Sequence, residues 1–223
     1  MRLPLPQFAP QHRLPNHIAE VVETSTTEFL AQCLDSEELS LSTMPPFGSW
    51  VKAMEEDGGN LVYAVVYFAS TTPIDSVHRA RALGLSLQEL REQQPQIFAM
   101  LKTEFRAAIA GFQPYQPSAQ RPDERFPGTI YQHLPPRPPQ LHQAVYSCSS
   151  AEVIQFTEKL DFLRSLLQMP GVPVDALIAA TLREVYQLRK GDRDWLVQAG
   201  RTLGILLKDD YDRLRAILNQ IHF

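Results

Sequence analysis

The sequence is poor in cysteine and has no long apolar run. Only Cys33 and Cys148 occur among its 223 residues, which is too few for a disulfide framework and lacks the CxxC spacing of metal or redox sites. We expect two reduced, buried thiols, with a disulfide between them as the alternative. No stretch approaches about 20 apolar residues, and the N-terminus lacks the apolar core of a signal peptide. These absences predict a cytoplasmic protein without a membrane span.

Basic residues are almost missing between residues 16 and 72. Lys52 is the only base in this range against nine acids, which gives a net charge of −8. A surface of this charge repels phosphate and disfavours nucleic-acid binding, whereas it suits a basic partner or simple solvation. The nine acids are Glu20, Glu23, Glu28, Asp35, Glu37, Glu38, Glu55, Glu56 and Asp57.

The motifs of common catalytic and metal sites are also missing. None of the six histidines has the HxxxH or HExxH spacing, and no GxSxG nucleophile elbow is present. His133 and His142 share a loop without an accompanying cysteine or acid pair. Cys148 precedes a predicted helix whose N-terminus would lower its pKa, but a packed apolar residue is the simpler interpretation. We therefore predict no catalytic residue, no metal and no cofactor.

The N-terminal third is predicted to form strands. Four prolines in residues 1–15 indicate an extended tail that either lies over the domain or stays free. Residues 17–34 are rich in β-branched and aromatic side chains, which predicts two short strands broken near Thr24–Thr26. One amphipathic helix is the competing interpretation, because Ile18, Val22 and Phe29 also fit one helical face.

A proline corner precedes the clearest hairpin. Pro45, Pro46 and Gly48 in PPFGSWVKA exclude a helix and allow a sharp bend into a strand that begins at Trp50. The sequence DGGN then supplies a turn, and the apolar run LVYAVVYF returns as the second strand.

A helical insertion follows over about residues 74–102. Ser86 and Glu89 have capping-box spacing, and Pro95 should divide the helix that they begin. The segment TTPIDSVHRAR, residues 71–81, spans the beginning of this insertion and holds the densest polar group of the chain. We interpret this group as a candidate partner-binding site, with a surface Asp75–Arg79 pair as the alternative. Its residues are Asp75, His78, Arg79 and Arg81.

The second half of the predicted barrel contains a long proline-rich loop. A strand over residues 104–112 precedes this loop, and AVYS after it should form the last strand. The sequence LPPRPP within the loop is compatible with a proline-rich binding motif, although a rigid connector packed on the barrel is the preferred interpretation.

The C-terminal third is predicted to be a bundle of about four amphipathic helices. The first begins at the capping box of Ser149 and Glu152 and carries one apolar stripe to Leu167. Pro173 begins the second helix, which Gly191 ends. Asp192 or Asp194 caps the third helix and Asp209 caps the fourth. The predicted α+β chain thus divides into a tail (1–15), a small antiparallel barrel with its insertion (16–149) and an all-helical part (150–223).

The barrel segments resemble a known family. AEVVETSTTEF, PPFGSWVKA, the DGG hairpin, LVYAVVYFAS and LPPRPPQLHQAVYSCSSAEVIQF are similar to the HAS barrel, the small N-terminal β-barrel of HerA-type DNA-translocating ATPases and rotary ATP synthase subunits. The resemblance covers about residues 16–72 and 104–156. The ATPase core that follows such barrels contains a GxxxxGK[ST] loop, which this chain lacks. The resemblance therefore implies the barrel's role in holding subunits or partners together, and it does not imply ATP hydrolysis.

Three hypotheses follow. The first is a non-enzymatic interaction or assembly module, in which the barrel docks on a protein partner or on itself and the helices extend that surface. The second is a nucleic-acid-associated accessory protein of a DNA-processing ATPase. The third is an enzyme with an unrecognised site. The second would use the basic strip of Arg106, Arg121, Arg125 and Arg137.

Overall fold

The computed structural model describes residues 16–34, 44–54, 59–74, 82–117 and 125–221. The predicted tail (1–15) and the first two residues of the DGGN turn, Asp57 and Gly58, lie outside these ranges. The strands are β1 (His17–Thr24), β2 (Glu28–Cys33), β3 (Trp50–Met54), β4 (Asn60–Pro73), β5 (Leu101–Pro117), β6 (Arg125–Pro127) and β7 (Ala144–Ser147). The helices are α1 (Leu87–Gln93), α2 (Gln96–Ala99), α3 (Ser150–Phe156), α4 (Phe162–Leu167), α5 (Val174–Leu188), α6 (Arg193–Leu206) and α7 (Tyr211–Asn219).

Six strands form a closed antiparallel barrel. Their order is β2-β1-β7-β3-β4-β5, and pairing of β2 with β5 closes the sheet. β6 pairs only with the distal end of β5. The barrel, together with the helices that follow it, confirms the α+β class. Residues 17–34 form two strands and not one amphipathic helix, because Thr24 pairs with Phe29 across a short turn.

The barrel interior is a packed core. Inward positions alternate along each strand, as in Val62, Ala64 and Val66 of β4. Alanines occupy many of these positions and allow the walls to approach closely. Phe29 and Phe105, both fully buried, fill the remaining width.

Helices cover the outer face of β3 and β4. Trp50 of β3 lies with its ring centroid 5.1 Å from that of Phe156 and 5.3 Å from that of Phe162. Tyr63 of β4 approaches the Phe156 ring to 4.8 Å. These strands are therefore buried on both faces, which explains the unbroken apolar run of β4. The helices share one hydrophobic cluster with the barrel's outer face.

The proline corner sets the distance between barrel and helices. Gly48 has φ of +87°, and its N–H donates to the Val66 carbonyl at 2.8 Å. A Cβ atom added at Gly48 would lie 2.8 Å from the Cβ of Ala180 on α5. The corner thus needs glycine both for its backbone angle and for the close approach of α5.

The predicted first C-terminal helix is divided into α3 and α4. Gln132, from the proline-rich loop, donates to the Lys159 carbonyl at 3.0 Å and accepts from the Phe162 N–H at 3.0 Å. It also donates to the carbonyl of Phe156, at the end of α3. One distant amide therefore satisfies the polar groups of both helix ends, which a continuous apolar stripe does not reveal.

Most predicted helix ends are confirmed, with one error. The capping boxes at Ser86 and Ser149 are both formed, and Asp192 caps α6. The cap of α7 is Asp210, whose carboxylate accepts the Arg213 N–H at 3.0 Å, so the prediction of Asp209 was wrong by one residue. Adjacent acids give the same local signal, and only the chain direction entering the helix selects between them.

Gly48 offers a test of the barrel–helix junction. We expect Gly48→Ala to lower the free energy of unfolding by about 2–4 kcal/mol, from the backbone strain plus the clash with Ala180. Gly84→Ala is the matched control, because Gly84 also has positive φ but nothing lies within 4 Å of its added Cβ. Its cost should be only the strain, about 1 kcal/mol. Equal costs in urea denaturation would contradict the close packing of α5 on the corner.

Candidate interaction surface

The four residues predicted to bind a partner lie outside the described part of the chain. Asp75, His78, Arg79 and Arg81 fall in the segment 75–81, so their prediction stays untested. The flanking residues are described. Ile74 directly follows the end of β4 and has 61% of its surface exposed, and residues from 82 onwards lead into α1.

β4 and β5 continue beyond the barrel as a two-stranded arm. Their pairing runs to Pro73 opposite Leu101, whereas β3 stops at the level of Val65 and β2 stops opposite Glu104. Polar contacts between the two strands hold the arm together: the hydroxyls of Thr71 and Thr103 lie 2.9 Å apart. The arm therefore projects from the barrel with α1 and α2 at its tip.

The tip of the arm exposes large apolar side chains. α1 buries none of its residues, although its N-terminal capping box is complete. Leu87 is 59% exposed and Met100 is 43% exposed. An amphipathic helix without a covered face is typical of a surface that meets another molecule. The exposed set on the arm is Phe68, Ile74, Leu83, Leu87 and Met100.

An apolar groove lies at the base of the arm. It has a volume of about 370 Å³ between residues 44–47 of the proline corner and residues 66–69 of β4. Met44 and Phe47 on one side are each 42% exposed, and Phe68 on the other is 51% exposed. The sequence does not reveal this groove, because the bulge in β4 that turns Phe68 outward depends on the register of β4 with β5.

Arg106, the first residue of the basic strip predicted to bind nucleic acid, is neutralised by acidic side chains. The Arg106 guanidinium lies 3.0 Å from a Glu28 oxygen and 3.2 Å from a Glu23 oxygen. Tyr67 also donates its hydroxyl to Glu28, and burial together with this bond raises the pKa of Tyr67 to about 12. Arg121 and the side chain of Arg125 lie outside the described residues, which leaves Arg137 exposed on the proline-rich loop.

An ion pair joins the barrel to α3. Lys52 of β3 is 9% exposed and donates to Glu152, which also accepts the N–H and hydroxyl of Ser149 in the α3 capping box. Burial opposes ionisation of Glu152, but the bonds from Lys52 and Ser149 outweigh it and lower the pKa of this carboxyl. The pair is thus a structural link between the two parts of the chain.

The two cysteines are free thiols on different sides of the barrel wall. Cys33 packs in the interior, where burial raises its pKa to about 11. Cys148 packs against the helix-covered face, and burial raises its pKa well above the usual range. The hypothesis that the α3 N-terminus lowers the pKa of Cys148 was wrong in direction, because desolvation outweighs it.

The described residues contain no group of three or more His, Cys, Asp or Glu side chains able to hold a metal ion. Among the helices described, none combines the length and the apolar character needed to cross a membrane. No protein-family model matches the sequence, and no curated protein is similar enough to it to count as a relative.

The Lys52–Glu152 pair predicts a stability loss that depends on pH. Glu152→Gln keeps a capping-box side chain but leaves a buried lysine without its counter-charge. We therefore expect it to lower the free energy of unfolding by about 2–4 kcal/mol near neutral pH. Because the folded-state pKa of Glu152 lies below the unfolded value of 4.5, the wild-type advantage should disappear as the pH falls below that value. Urea denaturation across this range measures both effects.

The control for this prediction is Glu89→Gln. Glu89 occupies the same position in the α1 capping box, but its side chain is exposed and no lysine pairs with it in the described structure. We expect little change in stability from this substitution. A comparable loss of unfolding free energy in both variants would show that the stabilisation comes from the helix cap and not from the ion pair.

Glu184 on α5 predicts the opposite pH dependence. Burial raises its pKa to about 7, so its contribution to stability is fully present below the unfolded value of 4.5 and is lost as the pH rises through 7. We expect Glu184→Gln to raise the free energy of unfolding near pH 8 by about 1–2 kcal/mol, allowing for solvent screening. The exposed Glu92→Gln serves as control in thermal unfolding at both pH values. A gain for Glu184→Gln that is independent of pH would contradict the assignment.

Proposed function

We propose that this protein is a non-enzymatic protein-interaction or assembly module built on a HAS-type barrel. The observation that carries the proposal is the projecting arm, whose large apolar side chains are not covered by any described residue. Several exposed apolar side chains grouped on one projection are typical of a docking surface.

The rest of the described fold supports an external site. The barrel interior is filled by side chains, and helices cover the outer face of β3 and β4. Apolar surface in the described part of the barrel is therefore available mainly at the groove and along the arm. A module that works by contact needs such a surface and needs no internal cavity.

The barrel architecture supports the family part of the proposal. The resemblance implies a small closed barrel that holds partners together, and the observed strands form a small closed antiparallel barrel entered through a proline corner. Because the phosphate-binding loop is absent from the sequence, the proposal is limited to the assembly role.

Charge favours a protein partner over nucleic acid. Residues 16–72 have a net charge of −8, and Arg106, which is close to them, already pairs with Glu23 and Glu28. Phosphate contacts need uncommitted basic side chains, and Arg106 is already paired with two carboxylates.

Removal of the apolar tip tests the proposal. We expect Leu87→Ser combined with Met100→Ser to abolish the oligomers or the specific partner that the wild-type chain forms, as measured by light scattering and by affinity capture with mass spectrometry. Leu141→Ser, which removes a 57% exposed leucine from the proline-rich loop, should change nothing. A monomeric wild-type chain that captures no more than the tip variant would refute the proposal, and a gel shift with DNA at low salt would favour the nucleic-acid hypothesis.

A further inference from the structure

We propose that the open edge of β4 and the adjacent groove bind an extended, basic segment of a partner protein, which joins the sheet as an additional strand. The inference rests on the proposed function and specifies the chemistry of the partner. It depends on three observations: an unpaired strand edge, an apolar pocket beside it and the sign of the surrounding charge.

The edge is open over seven residues. β3 pairs with β4 only up to Val65, and Val66 then bonds through its N–H to Ser49 and through its carbonyl to Gly48. From Tyr67 to Pro73, β4 pairs with β5 on one side and with no described residue on the other. Alternate backbone groups along this edge have no sheet partner, and an extended chain is the ligand that satisfies them.

The edge also lacks the features that normally prevent strand addition. The sequence FASTTPI, residues 68–74, contains no charged side chain, and its single proline stands at the far end of the strand. Natural edge strands are usually protected by lysine, by inward charges or by a covering element. An unprotected, neutral edge beside a packed barrel is therefore suited to receiving a strand.

The groove supplies a site for one side chain of that strand. It lies where the open edge begins, between the proline corner and residues 66–69 of β4. Phe47 and Phe68 offer aromatic surface on opposite sides of it. An apolar or aromatic residue of the added strand fits this space, while its backbone pairs with the edge. Such an anchor gives binding a register that backbone hydrogen bonds alone do not give.

Charge selects a basic segment and disfavours a second copy of this chain. Residues 16–72 include all the residues that line the groove, and their net charge is −8. Among the described charged groups, Glu28 accepts a hydrogen bond from Tyr67 of the groove, and Glu23 and Glu28 outnumber Arg106, the base that pairs with them. Two copies meeting at this edge would bring like charges together, whereas lysine or arginine beside the anchor would be attracted.

The test is selection of random octapeptides, displayed on phage, against the full-length protein. We expect enriched peptides to alternate β-branched or aromatic residues with polar ones and to contain more lysine and arginine than the library. Synthetic versions should bind more weakly as salt is raised. In hydrogen exchange, they should slow those backbone amides of residues 67–72 that face the open edge. Enriched peptides without excess basic residues, or protection elsewhere, would overturn the proposal, as would failure to enrich any peptide.

Point variants of the full chain locate the site. Phe68→Ser should weaken the selected peptides at least about tenfold, and the exposed control Leu141→Ser should not. Thr72 is also exposed, and Thr72→Lys should weaken binding while Thr72→Glu should strengthen it. Unchanged binding in Phe68→Ser, or the same effect from both charges, would refute the inference. If the Leu87 and Met100 tip variants still lose their partner in that case, the proposed function survives without this edge.

Discussion

The burial of β3 and β4 on both faces is the constraint on which the rest of this structure depends. Val62 and Ala64 face the barrel interior, while Leu61 and Tyr63 face the helices. A strand pair of this kind is stable only when both layers are present, because either exposed face would leave a large apolar area in water. The helices therefore complete the barrel wall, and Trp50, packed against α3 and α4, is the point where the two parts meet.

The same constraint explains where the surface stays open. The strands differ in length: β3 has five residues, whereas β4 has fourteen and β5 seventeen. The excess length of β4 and β5 extends past both the barrel and the helices and forms the arm. Because the proline corner precedes β3 and lets the strand begin only at Trp50, opposite Val65, the beginning of the open edge and one wall of the groove both depend on it.

Local signals predicted local structure well. Both capping boxes, the proline corner and the break near Thr24–Thr26 depend on residues within four positions of one another, and all were found where the sequence indicated. The division of α3 from α4 depends on Gln132, which is 30 residues before Phe162. The open edge and the groove depend on how far β3 and β4 pair. Features of this kind follow from register, which a single sequence does not specify.

The location of the exposed apolar surface limits where this protein can meet a partner. Alanine, valine and phenylalanine side chains fill the described barrel interior, and the helix-covered face includes the structural ion pair between Lys52 and Glu152. Under the proposed function, contact with another molecule occurs where apolar groups remain exposed. The arm has these groups at its tip and an unpaired backbone along its edge, so it offers side-chain and main-chain recognition on one projection. The net charge of −8 over residues 16–72 is the reason why the proposed partner is an extended basic protein segment and not a phosphate backbone.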